Sequence, residues 1–179
     1  MFKTIAIIVA LIIAAVLIYA ATKPDNFRIE RSTTIKAPPE KISAYLSDFK
    51  QWAAWSPWEE KDPTMKRTFS GAASGKGAIY GWEGNKNVGT GRMEVLDVQP
   101  QKVTIKLDFL APFEAHNTAE YTMQPEGDST KLTWAMFGPA NYMSKVMTTV
   151  MSMEKMVGPD FEAGLAKLKV AAESKRALF

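Results

Sequence analysis

The pattern of apolar and polar positions divides the chain into an apolar leader and a longer segment of mixed character. Every residue from Ile5 to Ala21 is apolar, and Lys3 and Thr4 precede this run. Seventeen helical residues span about 25 Å, which approaches the thickness of a bilayer hydrocarbon core. We therefore predict a single-pass membrane anchor over residues 1–22 that contacts lipid through residues 5–21, a linker at 23–26 and one domain at 27–176.

The alternative interpretation of the leader is a cleaved signal peptide. Cleavage after Ala20 or Ala21 would put bulky Ile18 or Tyr19 where a small residue is preferred, so a retained anchor is favoured. A count of basic residues on both sides of the run places the domain in the cytoplasm. A lysine followed by an apolar run is, however, also typical of export signals. The side of the membrane stays open, with the extracytoplasmic side preferred.

Two periodicities follow the linker. Phe27, Ile29 and Ile35 share one parity and predict a first strand, and the segment after Pro39 has the apolar spacing of a short helix. Period-two alternation then recurs in residues 65–137, with turns rich in Gly, Pro and Asn between the segments. This order predicts a meander of antiparallel strands.

The tail is predicted to be helical in two pieces. The first piece carries Met143, Met147 and Met151 at helical spacing, and Gly158-Pro159 is expected to interrupt it. The second piece extends the helix toward the C-terminus. A strand, a short helix, a meander and a long helix together predict an α+β domain whose bent sheet wraps over that helix and leaves a space between them.

Composition and charge remove several kinds of chemistry. The chain has no Cys and one His, which excludes disulfides, thiolate zinc sites and sites that need two His ligands from one chain. The formal charge is +3 and no basic run is present, which argues against a nucleic-acid partner. We predict neither a metal nor a cofactor.

Four segments, together with the order of elements, carry a resemblance to a known family. They are 27–38, 52–58, 113–120 and 156–162, and the first two read FRIERSTTIKAP and WAAWSPW. They resemble the START-like superfamily, and within it the SRPBCC or polyketide cyclase/dehydrase-like group, over residues 26–172. The resemblance implies the helix-grip fold first associated with the birch pollen allergen. It does not imply one activity, because the group includes lipid carriers, receptors, cyclases and chaperone activators.

In the helix-grip fold that the resemblance implies, the inward-facing side chains of the strands and the last helix line a cavity for an apolar ligand. An ordinary filled core is the competing interpretation of the same residues. The set is Tyr80, Trp82, Ile105, Leu107, Phe109, Asn117, Tyr121, Trp134, Met136, Phe161 and Leu165.

Three tryptophans and four titratable residues are further candidates. Trp52, Trp55 and Trp58 recur every third residue and fit either the mouth of the cavity, an interfacial belt or a cap on the core. An acid or base for catalysis would have to come from an inward-facing side chain. Strand parity turns the single His outward. The weak catalytic candidates are Glu83, Glu94, His116 and Tyr121.

Three functions fit these observations. The first is a membrane-tethered, non-catalytic domain that binds a lipid-like or aromatic small molecule in the sheet–helix cavity. The second is a cyclase, dehydratase or hydrolase that acts in the same cavity. The third is an accessory subunit of a membrane complex, in which the tryptophan segment or the methionine helix contacts a partner protein.

Overall fold

The computed structural model describes residues 2–174, so the first residue of the predicted anchor and the last two of the predicted domain lie outside the described part. Helix α1 spans Phe2–Ala21 and is almost entirely exposed. Its length and its mean hydropathy of 2.9 suffice for a membrane span, a test that a signal sequence also passes. From Ile5 to Ala21 every residue of this helix is apolar, so this stretch has no polar face, unlike a helix on the surface of a soluble domain.

A seven-stranded antiparallel sheet forms the body of the domain. Its spatial order is β1-β7-β6-β5-β4-β3-β2, so every neighbouring pair except β1–β7 is also consecutive in the chain. The predicted meander is therefore confirmed. The strands are β1 Asn26–Ile35, β2 Lys66–Gly71, β3 Ala78–Glu83, β4 Thr90–Gln99, β5 Lys102–Ala111, β6 Ala115–Glu126 and β7 Ser129–Pro139.

Helices connect the strands and cover one face of the sheet. Between β1 and β2 lie α2 (Pro39–Ser47), a 3₁₀ turn (Phe49–Ala54) and α3 (Pro57–Lys61). Proline begins both α helices, as expected for a first-turn position where no backbone donor is needed. After β7 come α4 (Tyr142–Val150) and the long α5 (Met153–Glu173). The α+β helix-grip architecture predicted from the sequence is confirmed.

Helix α5 lies over the inner face of the sheet and buries an apolar stripe. Phe161, Leu165, Leu168 and Ala172 are spaced three or four residues apart and are almost fully buried. The helix comes so close to the sheet that a Cβ on Gly164 would lie 3.0 Å from the Trp134 ring. This stripe and the inward residues of the strands form one continuous core.

The predicted interruption of the tail at Gly158-Pro159 is wrong. The helix breaks earlier, at Met151 and Ser152, and α5 continues through Pro159. Proline lacks the backbone donor that would bond to the carbonyl of Lys155, but it does not prevent the helix from continuing on either side. Packing of the buried stripe against the sheet outweighs this local loss.

Candidate functional site: a cavity between sheet and helix

A cavity of about 240 Å³ separates the sheet from α5. The inner faces of five strands, β3 to β7, supply most of its wall, and the first half of α5 and the segment around α3 close it. Aromatic and aliphatic side chains dominate the lining, as in pockets for apolar ligands. The lining residues are Trp52, Ser56, Trp58, Glu59, Met65, Tyr80, Trp82, Asn87, Val88, Met93, Leu107, Phe109, Ala119, Tyr121, Trp134, Met136, Val157, Asp160 and Phe161.

Trp134 on β7 is the centre of an aromatic cluster on this wall. Its ring stacks on Phe161 of α5, with centroids 4.0 Å apart and planes 7° from parallel, and on Tyr121 at 5.2 Å. Trp58 and Trp55 approach it edge-on, each at 5.8 Å. Stacked and edge-to-face pairs of this kind stabilise a wall by about 0.5–1.5 kcal/mol each beyond the burial of area.

Three donors in this cluster have no hydrogen-bond partner among the described residues. They are the Tyr121 hydroxyl and the indole N–H groups of Trp134 and Trp55. Burial raises the pKa of Tyr121 well above its usual value, so the phenol stays protonated and remains a donor. Tyr121 and Trp134 also line the cavity. Buried polar groups are nearly always paired, which makes these donors exceptional.

Other buried aromatic donors in the same core are satisfied. The Trp82 indole N–H donates to the Val88 carbonyl at 3.0 Å, and that of Trp52 donates to the Leu46 carbonyl at 3.1 Å. The Tyr45 hydroxyl donates to the carbonyl of Ala171 at 3.1 Å. The unpartnered aromatic donors of the described residues are therefore concentrated around Tyr121 and Trp134, where the cavity lies.

Two carboxylates border the cavity, and both are paired with cations. Glu59 on α3 accepts a hydrogen bond from the Tyr80 hydroxyl at 2.8 Å and from Arg67 at 2.7 Å. Burial, and then the bond to Glu59, raise the pKa of Tyr80 far above its usual value. Asp160 on α5 pairs with Lys61 at 2.6 Å. The polar side of the cavity is thus acidic and already hydrogen-bonded.

Ion pairs and a capped turn position the segment that carries these groups. Two ion pairs hold α3 against α5: Lys61 pairs with Asp160, and Glu60 pairs with Lys167. Asp62 then accepts a hydrogen bond from the backbone N–H of Asn85 at 2.7 Å. This contact holds the β3–β4 turn against α3, and residues 87 and 88 of that turn complete the wall.

Most of the residues proposed from parity for the lining lie at the cavity. Tyr80, Trp82, Leu107, Phe109, Tyr121, Trp134, Met136 and Phe161 border it. Ile105, Asn117 and Leu165 do not. Ile105 and Leu165 are buried in the closed part of the core, and Asn117 packs beside Gly138. Parity assigns a side chain to a face, but it does not say at which point along the strand the space opens.

The tryptophan segment does not form an exposed belt. Trp52 and Trp58 line the cavity, whereas Trp55 is 1% exposed and packs against Tyr121 and Trp134 in the core. Placement of Trp55 at a mouth is therefore wrong, because the 3₁₀ turn directs its ring inward.

Three of the four weak catalytic candidates lie outside the cavity. Glu83 pairs with Lys66 on an exposed edge, and Glu94 pairs with Arg92 at 2.8 Å on the outer face. The His116 side chain is 56% exposed and lies between Asp108, at 2.8 Å, and Glu114, at 3.2 Å. The β4–β5 pairing has a register shift between Thr90 and Gly91, opposite the end of β5. This shift does not turn the His116 side chain toward the inner face of the sheet.

The fourth candidate, Tyr121, faces the cavity, and sequence reasoning did not single out two acidic groups there. Glu59 and Asp160 reach the cavity only because α3 docks on α5. The sequence offers one indication that Glu59 lies at the cavity: it directly follows Trp58 in a short helix that begins at Pro57. Asp160 directly follows Pro159, where the sequence pattern predicts a break in the tail and gives no sign of a cavity residue.

A curved antiparallel sheet that grips a C-terminal helix around an apolar cavity defines a helix-grip domain. A family model described as polyketide cyclase / dehydrase and lipid transport matches residues 26–173. The chain belongs to this family, which confirms the resemblance identified in the sequence. None of the curated proteins matches the chain.

Solved structures with this fold cover most of the chain at low sequence identity. The di-domain ARO/CYC BexL from the BE-7585A biosynthetic pathway gives a TM-score of 0.62 at 13% identity, over 88% of this chain and 53% of BexL. The Aha1 dimer from Colwellia psychrerythraea gives 0.59 at 16%, over 84% and 99%. Protein CV1439 from Chromobacterium violaceum gives 0.58 at 16%, over 86% and 100%. These similarities establish the fold alone.

Proposed function

We propose that this protein is a membrane-tethered domain that binds a neutral, apolar small molecule bearing a hydrogen-bond acceptor oxygen. The molecule occupies the cavity between the sheet and α5, and α1 anchors the domain to the bilayer. The family description, which joins cyclases and dehydrases with lipid transport, agrees with an apolar ligand.

The observation that carries this proposal is the pair of unpartnered donors on the cavity wall. The Tyr121 hydroxyl and the Trp134 indole N–H are buried and lack acceptors in the described structure. A buried donor without a partner costs about 1–3 kcal/mol. Both donor atoms are fully buried, so a ligand carbonyl, ether or hydroxyl oxygen reaches them only when neighbouring side chains shift. It would then supply an acceptor and remove part of that cost. The stacked rings would contact the apolar remainder.

Charge and volume narrow the class of ligand. The charged side chains of the lining, Glu59 and Asp160, are both acidic, which disfavours a ligand with a carboxylate or phosphate in the cavity. The volume of about 240 Å³ lies below the range of roughly 300–1,000 Å³ that is usual for drug-sized ligands. A fused pair of rings or part of an acyl chain matches this volume better than a whole phospholipid does.

The tether supports the same interpretation. Helix α1 has the length and hydropathy of a membrane span, and its side chains are exposed in the described structure. An apolar molecule concentrates in the bilayer, so a domain held at the membrane surface meets it there.

Binding of two matched naphthalenes tests the proposal. The full chain, in phosphatidylcholine nanodiscs, is titrated with 2-acetylnaphthalene and with 2-isopropenylnaphthalene, which has the same shape but no acceptor oxygen. Four of the five tryptophans line the cavity, so tryptophan fluorescence reports occupancy. We expect the acetyl compound to bind about tenfold more tightly, the equivalent of one hydrogen bond.

Two tyrosine variants make the test specific. Tyr121→Phe is expected to abolish the preference for the acetyl compound. Tyr45→Phe removes a buried hydroxyl that already has a partner and does not line the cavity, so the preference should survive. No saturable binding of either compound, or equal binding of both by the native chain, would overturn the proposal.

An enzyme of the cyclase or dehydratase type is a second candidate, favoured by the Glu59–Tyr80 contact at the cavity. A carboxylate bonded to a phenol could move a proton to or from a bound molecule. Arg67 donates to the other oxygen of this carboxylate, so both oxygens of Glu59 already accept a hydrogen bond. Mass spectrometry of the β-hydroxy ketone 4-hydroxy-4-(2-naphthyl)butan-2-one, incubated with the native chain and with Glu59→Gln, distinguishes the candidates, because removal of its α proton and loss of the hydroxyl as water give the enone and lower the mass by one water. Conversion that requires Glu59 favours an enzyme, and unchanged recovery favours a carrier.

A further inference from the structure

Helix α4 presents an apolar face that the domain does not cover. Tyr142, Met143, Met147 and Met151 are 43–61% exposed. Met143 and Met147 lie four residues apart on one side of the helix, and Met151 follows at the same spacing where the helix ends. Exposed apolar residues are normal singly, but a continuous row of them marks an interaction surface. We call these four residues the methionine face.

This surface carries no exposed charge. Lys145 is the single charged residue between Lys131 and Glu154 in the sequence. It is 8% exposed and pairs with Asp25 of the linker. A helix on an aqueous surface normally has charged residues on its exposed side, whereas α4 turns its charge inward and its methionines outward.

The sheet places α4 beside the end of α1. Strands β1 and β7 pair at the edge of the sheet, with Asn26 opposite Pro139, and the Ala140 N–H donates to the Asp25 carbonyl at 2.8 Å. The segment that follows α1 and the segment that precedes α4 therefore leave the sheet together. Helix α1 contacts α4 directly as a result.

Two hydrogen bonds define which end of α4 lies nearer to the span. The Tyr142 hydroxyl donates to the carbonyl of Leu17 at 2.9 Å, within α1. Lys23, which follows α1, donates to the carbonyl of Thr148 at 2.6 Å. The Tyr142 end is thus level with the last turn of the apolar helix, and the Thr148 end is level with the polar linker.

This depth corresponds to the bilayer interface. Leu17 lies four residues before the end of α1 at Ala21, or about 6 Å along the helix axis. If α1 spans the bilayer, its final turn lies at the level where tyrosine side chains are enriched in membrane proteins. Methionines that project beside it at that level contact lipid rather than bulk water.

We infer that the methionine face rests in the bilayer interface and gives the domain a second membrane contact beside the tether. The partner is the phospholipid surface into which α1 inserts, and the inference rests on the tether in the proposed function. A second copy of the chain or another protein would have to displace lipid that α1 itself brings to this face.

Site-directed spin labelling tests this contact in the full chain. The chain has no Cys, so Met143→Cys and Met147→Cys each create a unique labelling site on an exposed position. Val170→Cys on α5 is the aqueous control, and Ile12→Cys on α1 is the depth reference, since both side chains are exposed in the described structure. The chains are reconstituted singly in phosphatidylcholine–phosphatidylglycerol nanodiscs, and nitroxide accessibility to oxygen and to a water-soluble nickel complex is measured.

The expected result is an ordered series of depths. The ratio of oxygen to nickel accessibility should be highest for the label at position 12, lower at position 143, lower again at position 147, and lowest, by several-fold, at position 170.

Labels at positions 143 and 147 with the same ratio as the label at 170, while the label at 12 lies in lipid, would overturn the second contact and leave the tether intact. A water-accessible label at 12 would overturn both. Labels at 143 and 147 shielded from both reagents only when two chains share a disc would assign the face to a second copy instead. Naphthalene binding is measured separately, so a failure of ligand binding is not confused with any of these results.

Discussion

Strand β6 carries two titratable residues whose surroundings are opposite. Tyr121 faces inward, is fully buried and has no hydrogen-bond partner in the described structure, whereas His116 faces outward between two carboxylates. Both residues have a raised pKa. Burial raises that of Tyr121 by disfavouring the phenolate, and the bond to Asp108 raises that of His116 by favouring the imidazolium. A raised pKa therefore keeps Tyr121 a neutral hydrogen-bond donor on the inner face, whereas it favours the cationic form of His116 on the outer face.

The two faces of the sheet therefore differ in whether their polar side chains already have partners. On the outer face the charged groups pair with one another, since Asp108 is bonded to both His116 and Lys106. Burial alone would raise the pKa of Asp108, but these two bonds keep it below its usual value. The inner face leaves the donors of Tyr121 and Trp134 unsatisfied. Function is therefore expected on the inner face, although the single histidine lies on the outer one.

The largest expected effect comes from removing the centre of the inner cluster. Trp134→Ala deletes a ring that stacks on Phe161 and Tyr121, and we expect a loss of about 3–5 kcal/mol in the free energy of unfolding. The neighbouring Thr133→Ala, on the outer face, should cost less than about 1 kcal/mol. Urea unfolding of the full chain in nanodiscs, followed by far-ultraviolet circular dichroism, measures both. Equal losses would remove the distinction between the two faces.

A smaller effect of opposite sign is expected for the hydroxyl of Tyr121. Tyr121→Phe removes an unpartnered buried donor and should raise the free energy of unfolding of the ligand-free chain by about 1 kcal/mol. Tyr45→Phe removes a buried hydroxyl that is bonded to Ala171, and should lower the free energy of unfolding by about 0.5–1.5 kcal/mol. The same urea titration compares the two variants. A destabilised Tyr121→Phe would mean that this hydroxyl has a partner, such as bound water, in the free protein.

The smallest expected effect is a pH dependence on the outer face. The folded-state pKa of His116 lies above the ordinary value of 6.5, so its protonated form stabilises the domain fully below about pH 6.5. That stabilisation is lost as the pH rises through the folded-state pKa. The urea midpoints of the native chain and of His116→Gln should therefore differ more at about pH 6 than at about pH 9.

The partner of His116 supplies the control for this measurement. In an Asp108→Asn background the principal cause of the raised pKa is gone, so most of the pH-dependent difference should disappear. A difference that is the same at both pH values, or one that persists without Asp108, would contradict the assignment.

The fold could be predicted from the sequence because alternation and helical spacing are local. The parity of β5 and β6 assigned Leu107, Phe109 and Tyr121 to one face, and assigned His116 to the other, without any knowledge of the sheet order. Ile105 has the same parity as Leu107, yet it lies in closed core, because α2 packs over that end of the sheet. Where a space opens along a strand depends on which helix covers it, and local pattern does not contain that information.

The acidic side of the cavity and the boundary between α4 and α5 could not be predicted from the sequence, for the same reason. Glu59 and Asp160 reach the cavity through the docking of α3 on α5, a contact between residues about a hundred positions apart. The proline rule predicted a break at Pro159, but the buried stripe of α5 keeps the helix continuous there. In both cases a tertiary contact decided the outcome.

Pro159 has a further consequence for how fast the cavity can exchange its contents. Because Pro159 has no N–H, one backbone hydrogen bond fewer joins the first turn of α5 to the remainder of the helix. Pro159 lies between Val157 and Phe161, which both line the cavity. Opening of that turn therefore requires less free energy than opening of the sheet. We expect the residence time of a bound molecule to follow the fraying of a single helical turn, while the seven strands stay intact.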